Sequence, residues 1–248
     1  MIGIIGYGRF GELAARYLAE DADVFVYTSR KKLPTVKGLR IRVASLETVC
    51  RQKIVIPTVP ISVFKDTLRR IAPLLNPESL VIDVCSVKEQ PVKWMEELLP
   101  GSVSILATHP MFGPDSAAES LEGMKIALCK VRIDEEQYDQ IRSYLVAKGL
   151  AVIDTTAETH DRQIAVSLAL THFIGRSLSS FGAENLQIDT EGYKRLLHIL
   201  DVVENDTWQL FVDMHRYNPY ARQARDAFME AMEQINSELK NFKLSPDD

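Results

Sequence analysis

The sequence predicts an α/β fold, and three observations carry that prediction. Up to about residue 154, short β-branched runs alternate with amphipathic stretches at helical spacing, the pattern of a parallel sheet flanked by helices. A glycine fingerprint, Gly6-Tyr7-Gly8-Arg9-Phe10-Gly11, stands between the first strand and the first helix. Beyond Asp154 the strand runs disappear, while apolar residues continue at helical spacing almost to Lys243. The chain is therefore expected to hold an N-terminal Rossmann-type parallel-sheet domain at 1–154, followed by an all-helical dimerisation domain at 155–248.

In chain order, strands are expected at 2–5, 24–27, 39–43, 54–56, 80–83, 104–107, 125–128 and 151–153. Helices fall between them at 10–20, 61–75, 87–98 and 134–147, with Pro77 and Pro100-Gly101 as stop signals. The second domain reads as helices at 158–183, 190–203, 206–215 and 219–239. The first of these is roughly 40 Å long at 1.5 Å per residue. So long a helix in a small domain is expected to bury apolar surface against a second subunit, which predicts a homodimer.

Composition narrows the function classes. A hydrophobic content of 46% over 248 residues is enough for a substantial core. The net charge of −5 argues against a general nucleic-acid or anionic-membrane partner, so any anion site must be local. Cys50, Cys85 and Cys129 are scattered and show no CxxC spacing, which predicts neither a disulfide framework nor a metal site and fits a reducing cytoplasm. The chain enters an apolar strand at Ile2, and no targeting or membrane-spanning segment is expected.

The fingerprint residues Gly6, Tyr7, Gly8, Arg9, Phe10 and Gly11 are expected to hold a dinucleotide. Gly6 permits the tight turn, Gly8 admits a pyrophosphate, and Gly11 allows close helix packing at an anion-favouring helix N-terminus. A glycine turn in an unrelated α/β protein is the plainer alternative. The second strand runs into Thr28-Ser29-Arg30-Lys31-Lys32, where an NAD-selective protein usually places an acid for the ribose hydroxyls. Hydroxyls and cations there suit a 2′-phosphate, so the cofactor is expected to be NADP, with Arg30 as its main phosphate contact beside Ser29 and Lys31. Solvated loop cations are the alternative. Thr58, Val59 and Pro60 follow the fourth strand and should line the cofactor near the switch point of the sheet, as should Cys85 and Ser86 after the fifth.

Ser86 lies in Asp83-Val84-Cys85-Ser86-Val87-Lys88, and His109 in Thr108-His109-Pro110-Met111-Phe112-Gly113-Pro114. A hydroxyl and a neutral imidazole near a nicotinamide suit hydride removal from an alcohol, because imidazole accepts a proton near pH 7. A loop histidine held by backbone groups is the other reading of His109. Together with His160-Asp161-Arg162 and Leu170-Thr171-His172-Phe173-Ile174-Gly175-Arg176, these motifs resemble the prephenate/arogenate dehydrogenases over nearly the whole chain. Within that family the chain looks most like the plant-type arogenate dehydrogenases.

The resemblance implies an oxidative decarboxylation in tyrosine biosynthesis. A cyclohexadienyl alcohol loses a proton and a hydride, and its ring carboxylate leaves as carbon dioxide as the ring becomes aromatic. It assigns His109 as the hydroxyl's hydrogen-bond acceptor, Ser86 as its positioning partner, and His172 as a substrate-site histidine. Arg176 lies one helical turn after His172 and can join it on a carboxylate, or can be paired structurally at a subunit interface. His160 and Asp161 are read as capping and orienting the long helix.

Prephenate-type bacterial members of the family usually carry an arginine nine residues before a tryptophan. With that tryptophan at Trp208, His198 or Ile199 stands in the arginine's place. Asp206 falls in register with an acidic position of the plant-type enzymes, where a carboxylate favours arogenate's ammonium; helix capping is the alternative. The small-molecule substrate is accordingly expected to be arogenate, bound by His172, Arg176, Asp206 and Trp208. Prephenate or dual specificity is the nearest alternative, and another NADP-dependent reductase or a non-catalytic nucleotide sensor is more distant.

Overall fold

Strand β1 (Ile2–Ile5) is buried along its whole length, as a strand is when helices cover both faces of its sheet. It pairs in parallel with β2 (Val24–Tyr27) on one side and β4 (Ile54–Pro57) on the other. Strand β3 (Ile41–Val43) lies outside β2, while β5 (Leu80–Asp83), β6 (Ser104–Pro110), β7 (Lys125–Arg132) and β8 (Ala151–Asp154) extend the sheet beyond β4. The order is β3-β2-β1-β4-β5-β6-β7-β8. Strand order therefore reverses between β1 and β4, the switch point at which open α/β sheets bind ligands.

The computed structural model describes residues 1–29 and 39–242, and the described residues fall into two compact units divided between His160 and Asp161. The division falls inside the helix that follows the sheet rather than at residue 154.

One pairing departs from the expected parallel sheet: β6 and β7 are antiparallel, with His109 opposite Ala127 and Pro110 opposite Ile126. Their connection, 111–124, makes turns but no helix, and a parallel neighbour would have required a crossover of helical length. Strand β6 also continues through Pro110 instead of stopping at Ala107, so His109 is a strand residue and not a loop residue.

The sheet is flanked by α1 (Arg9–Leu18), α2 (Leu46–Cys50), α3 (Ile61–Ile71), α4 (Glu89–Leu98) and α5 (Glu135–Ala147). Helix α2 is too short to leave a periodic signature and is absent from the sequence reading. Helix α3 buries Ile61, Phe64, Leu68 and Ile71, a single stripe at three- and four-residue spacing. Truncating fully buried Phe64 to alanine would cost about 3–5 kcal/mol. The Asp134 side chain accepts from the Gln137 amide at 2.8 Å and starts α5.

After the sheet come α6 (Ala157–Ile164), a π-helical stretch at Ala165–Leu170 and α7 (Thr171–Phe181). Gly182, at φ 85°, ends α7 in the left-handed conformation. Ala157–Phe181 is apolar and long enough to cross a bilayer by length and composition, contrary to the expectation that no segment is. A helix that buries its apolar surface against protein passes the same test. The second unit continues with α8 (Glu191–Glu204), α9 (Trp208–Tyr217) and α10 (Ala221–Asn241). Gly175 lets α7 and α8 approach closely, since a Cβ there would stand 2.8 Å from Val203 and 3.0 Å from Ile199.

Candidate active site

The glycine turn is built against the end of β4. Gly6 has φ 104°, and a Cβ on it would lie 2.7 Å from the Thr58 carbonyl oxygen. A Cβ on Gly11 would lie 2.6 Å from Thr58 Oγ1 and 2.7 Å from the Gly6 carbonyl oxygen. Thr58 Oγ1 donates to the carbonyl of Gly6 at 3.0 Å, so its side chain clamps the turn. Gly8, by contrast, faces open space. It is the N-cap of α1 and no side chain caps that terminus. The open position and the uncapped amides fit a dinucleotide's pyrophosphate.

The side chains of the fingerprint face other ways. Tyr7 is buried in the core with Ile4, Ala15 and Val26. Arg9 pairs with both carboxylate oxygens of Asp115 at 2.6 and 2.7 Å, and Phe10 meets Phe112 with ring centroids 6.5 Å apart. These contacts, with Tyr17 donating to the Ala117 carbonyl at 2.9 Å, dock the 111–124 connection on α1. Val59 is half-buried, and Pro60 is the exposed N-cap residue of α3. Thr28 and Ser29 follow β2 at the sheet end. Arg30 and Lys31, the expected phosphate contacts, lie outside the described residues.

The segment after β5 is held from inside. The Asp83 carboxylate accepts from the Cys85 amide at 2.7 Å and pairs with the Lys88 ammonium, and both side chains are fully buried. Lys88 also donates to the Thr108 carbonyl, while Thr108 Oγ1 donates to the Asp83 carbonyl at 2.7 Å. This ion pair joins the ends of β5 and β6, immediately beside His109. Removing either partner would leave a buried charge uncompensated, at a cost of about 3–5 kcal/mol. Cys85 is buried, and Ser86 presents a buried Oγ with no hydrogen-bond partner among the described residues.

Ser86 makes no hydrogen bond to His109 among the described residues. The partner is His160, whose Nε2 lies 2.9 Å from His109 Nδ1, with the rings edge-on at 5.0 Å between centroids. Both residues are buried, and the ring of His109 makes no other hydrogen bond among the described residues. Burial, His160 and the Lys88 cation together push the His109 pKa well below its ordinary 6.5. The ring is consequently neutral at physiological pH. His160 does not cap its helix either: Thr156 Oγ1 does, accepting from the Thr159 amide at 3.1 Å.

In the helical unit, His172 is buried directly after the π-helical stretch. Its Nε2 is 3.5 Å from the Asp206 carboxylate, and its Nδ1 is buried without a hydrogen-bond partner among the described residues. Burial lowers the His172 pKa, Asp206 opposes the shift, and Arg176 adds to it. Arg176 donates through Nη2 to the Asp206 carbonyl and lies over the rings of Trp208 and Phe211 at 5.8 and 6.0 Å. Thr207, not Asp206, caps α9, accepting from the Leu210 amide at 3.2 Å. The Asp206 carboxylate is therefore free of capping duty. Trp208 is 64% exposed and packs on Phe211.

Sequence reasoning missed three members of this cluster: Phe211, His215 and Arg225. His215 stacks edge-on against Phe211 at 4.7 Å and meets Arg225 at 3.5 Å. Of the two residues that can stand in the bacterial arginine's place, His198 is largely exposed beside Asp201 and Ile199 packs toward Gly175. Asn218 donates to the Asp161 carbonyl at 2.8 Å and Arg162 lies over the Tyr220 ring at 4.3 Å, so Asp161 and Arg162 anchor the residues between α9 and α10.

A switch-point glycine turn and a buried neutral histidine at the next strand ends are the outline of a nucleotide-dependent oxidoreductase. Residues 23–154, just over half the chain, match the family model described as prephenate dehydrogenase, nucleotide-binding domain. Residues 177–245 match a second model, described as TYRAAT1-like, C-terminal domain. The chain belongs to the prephenate/arogenate dehydrogenase family of oxidoreductases. It is 29% identical to both arogenate dehydrogenases 2 and 1 of Arabidopsis thaliana over 96% of its own length, spanning 69% of the first and 39% of the second. In fold it is similar to a prephenate dehydrogenase from A. aeolicus solved with hydroxyphenyl propionate and NAD+, with a TM-score of 0.73, 19% identity and coverage of 97% and 93% of the two chains.

Proposed function

We propose that this protein catalyses the NADP-dependent oxidative decarboxylation of L-arogenate to L-tyrosine. The observation that carries the reaction class is His109: a buried imidazole held neutral, tied at Nδ1 and without a protein partner at Nε2 among the described residues. A neutral Nε2 accepts the proton of the substrate's ring hydroxyl. The nicotinamide, when bound, supplies the acceptor for the hydride, and loss of the ring carboxylate as carbon dioxide restores aromaticity. Ser86 contributes a buried hydroxyl whose hydrogen bond is left for a ligand. The Asp83 and Lys88 pair fixes the strand ends that carry both groups.

Preference for arogenate is supported by Asp206. Its carboxylate stands beside His172 and caps nothing, so it is available to an ammonium, the group that distinguishes arogenate from prephenate. Arg176 and His172 suit a carboxylate, each carrying a buried nitrogen with no hydrogen-bond partner among the described residues. Preference for NADP rests on the Ser29-Arg30-Lys31-Lys32 sequence and on the lack of an acid there.

His109→Asn should abolish turnover while leaving the dissociation constant for the dinucleotide within about twofold, since the imidazole acts on the hydroxyl and not on the cofactor. Near-normal turnover in that variant would remove His109 from the mechanism. Arg30→Ala should weaken NADP binding far more than NAD binding. Equal losses would count against a 2′-phosphate contact.

A further inference from the structure

We infer that His160 is the positioning residue for His109: it accepts a hydrogen bond from His109 Nδ1–H and so holds the lone pair at Nε2. The inference rests on the reading of His109 as proton acceptor and adds the element that makes an acceptor of it. Two ring nitrogens facing each other at 2.9 Å share one hydrogen between His109 Nδ1 and His160 Nε2. If it sits on His160, then His109 Nδ1 accepts, Nε2 carries the other hydrogen, and the ring cannot accept from a hydroxyl. If it sits on His109 Nδ1, the opposite nitrogen is free to accept. The pair thus has one reactive and one unreactive arrangement.

The surroundings give His160 a second role. When His109 takes up a proton, the new positive charge forms in a buried site that already contains the Lys88 ammonium. Lys88 is balanced by Asp83, which leaves His160 Nε2 as the hydrogen-bonded acceptor for the imidazolium. A hydrogen bond from a charged donor is stronger than one from a neutral donor, so this contact tightens as the proton arrives. Both rings stand on rigid supports. His109 is in the β6–β7 ladder, and the His160 amide donates to the Thr156 carbonyl at 2.9 Å in the first turn of α6.

The test uses the full chain labelled with ¹⁵N-histidine, with NMR shifts reading the tautomer and steady-state kinetics run in parallel. The native protein should show His109 as the Nδ1–H tautomer. His160→Leu should lose that preference and lower kcat by about 10- to 100-fold, the scale on which removing the partner that orients a metal-bound imidazole acts, with the dinucleotide dissociation constant unchanged. His160→Gln, whose side-chain oxygen reaches the place of Nε2, should keep the Nδ1–H tautomer and recover most of kcat. An Nε2–H tautomer in the native protein would overturn the inference, even if His160→Leu fails to fold. So would unchanged kcat in His160→Leu alongside an inactive His109→Asn. An active His109→Asn would instead overturn the acceptor role itself, leaving the measured tautomer as a separate result.

Discussion

His109 joins three constraints in one side chain: it lies in a strand, it is buried, and it is held neutral. Its pKa lies well below 6.5, chiefly through burial and then through His160 and Lys88. A general base works in its neutral form, so kcat/KM should stay on its plateau as pH falls through 6.5 and decline only at lower pH. A pH profile with its acidic limb at or above 6.5 would assign the limiting base to another group. Asp206→Asn should shift the ratio of specificity constants toward prephenate without destabilising α9, and an unchanged ratio would end its role in recognition. His109 was legible in the sequence because its motif is local. Its bond to His160 was not, because 51 residues separate the two rings and only the packing of α6 brings them together. The role of Thr207 was missed for a different reason: Asn205, Asp206 and Thr207 are all good N-cap residues, and propensity alone does not choose among neighbours.

Among the elements, the turn between β1 and α1 is tightly specified. Gly11→Ala would drive a methyl group to 2.6 Å from Thr58 Oγ1 and force apart the contact that clamps Gly6. A loss of about 1–3 kcal/mol in stability, the usual cost of overpacking, and a weaker dinucleotide complex are expected from thermal melts and titration. Unchanged values for both would show that the close approach is unimportant. Thr207→Ala should cost about 1 kcal/mol through loss of the α9 cap, with substrate preference unaltered. The strands and long helices were legible because their periodicity is strong. The antiparallel β6–β7 pair was not, since pairing direction depends on the 111–124 connection, and a helix-free loop of that length has no periodic signal. The π-helical stretch before His172 was equally hidden, because its apolar sequence also satisfies helical spacing.

For the whole molecule, the buried histidines tie stability to pH. His109, His172 and His215 all have lowered pKa values in the folded chain, with burial the largest cause each time. Below about 6.5 the unfolded chain binds protons that the folded chain refuses. Their contribution to stability is therefore complete above that pH and is lost as pH falls toward the folded values. Tm should drop between pH 7.5 and pH 5.5, and a constant or rising Tm would contradict the assignment. On α10, Met229, Met232, Ile235 and Leu239 are exposed at three- and four-residue spacing, and Phe181 is 82% exposed at the end of α7. Such an apolar stripe is expected to be covered by a second copy of the chain, giving a dimer in light scattering. A monomer at micromolar concentration would contradict that expectation.

The pairing of substrate and cofactor is read in one experiment, steady-state kcat/KM for arogenate and prephenate, each with NADP and with NAD. Arogenate with NADP should give the highest value, and a higher value for prephenate or for NAD would overturn the assignment.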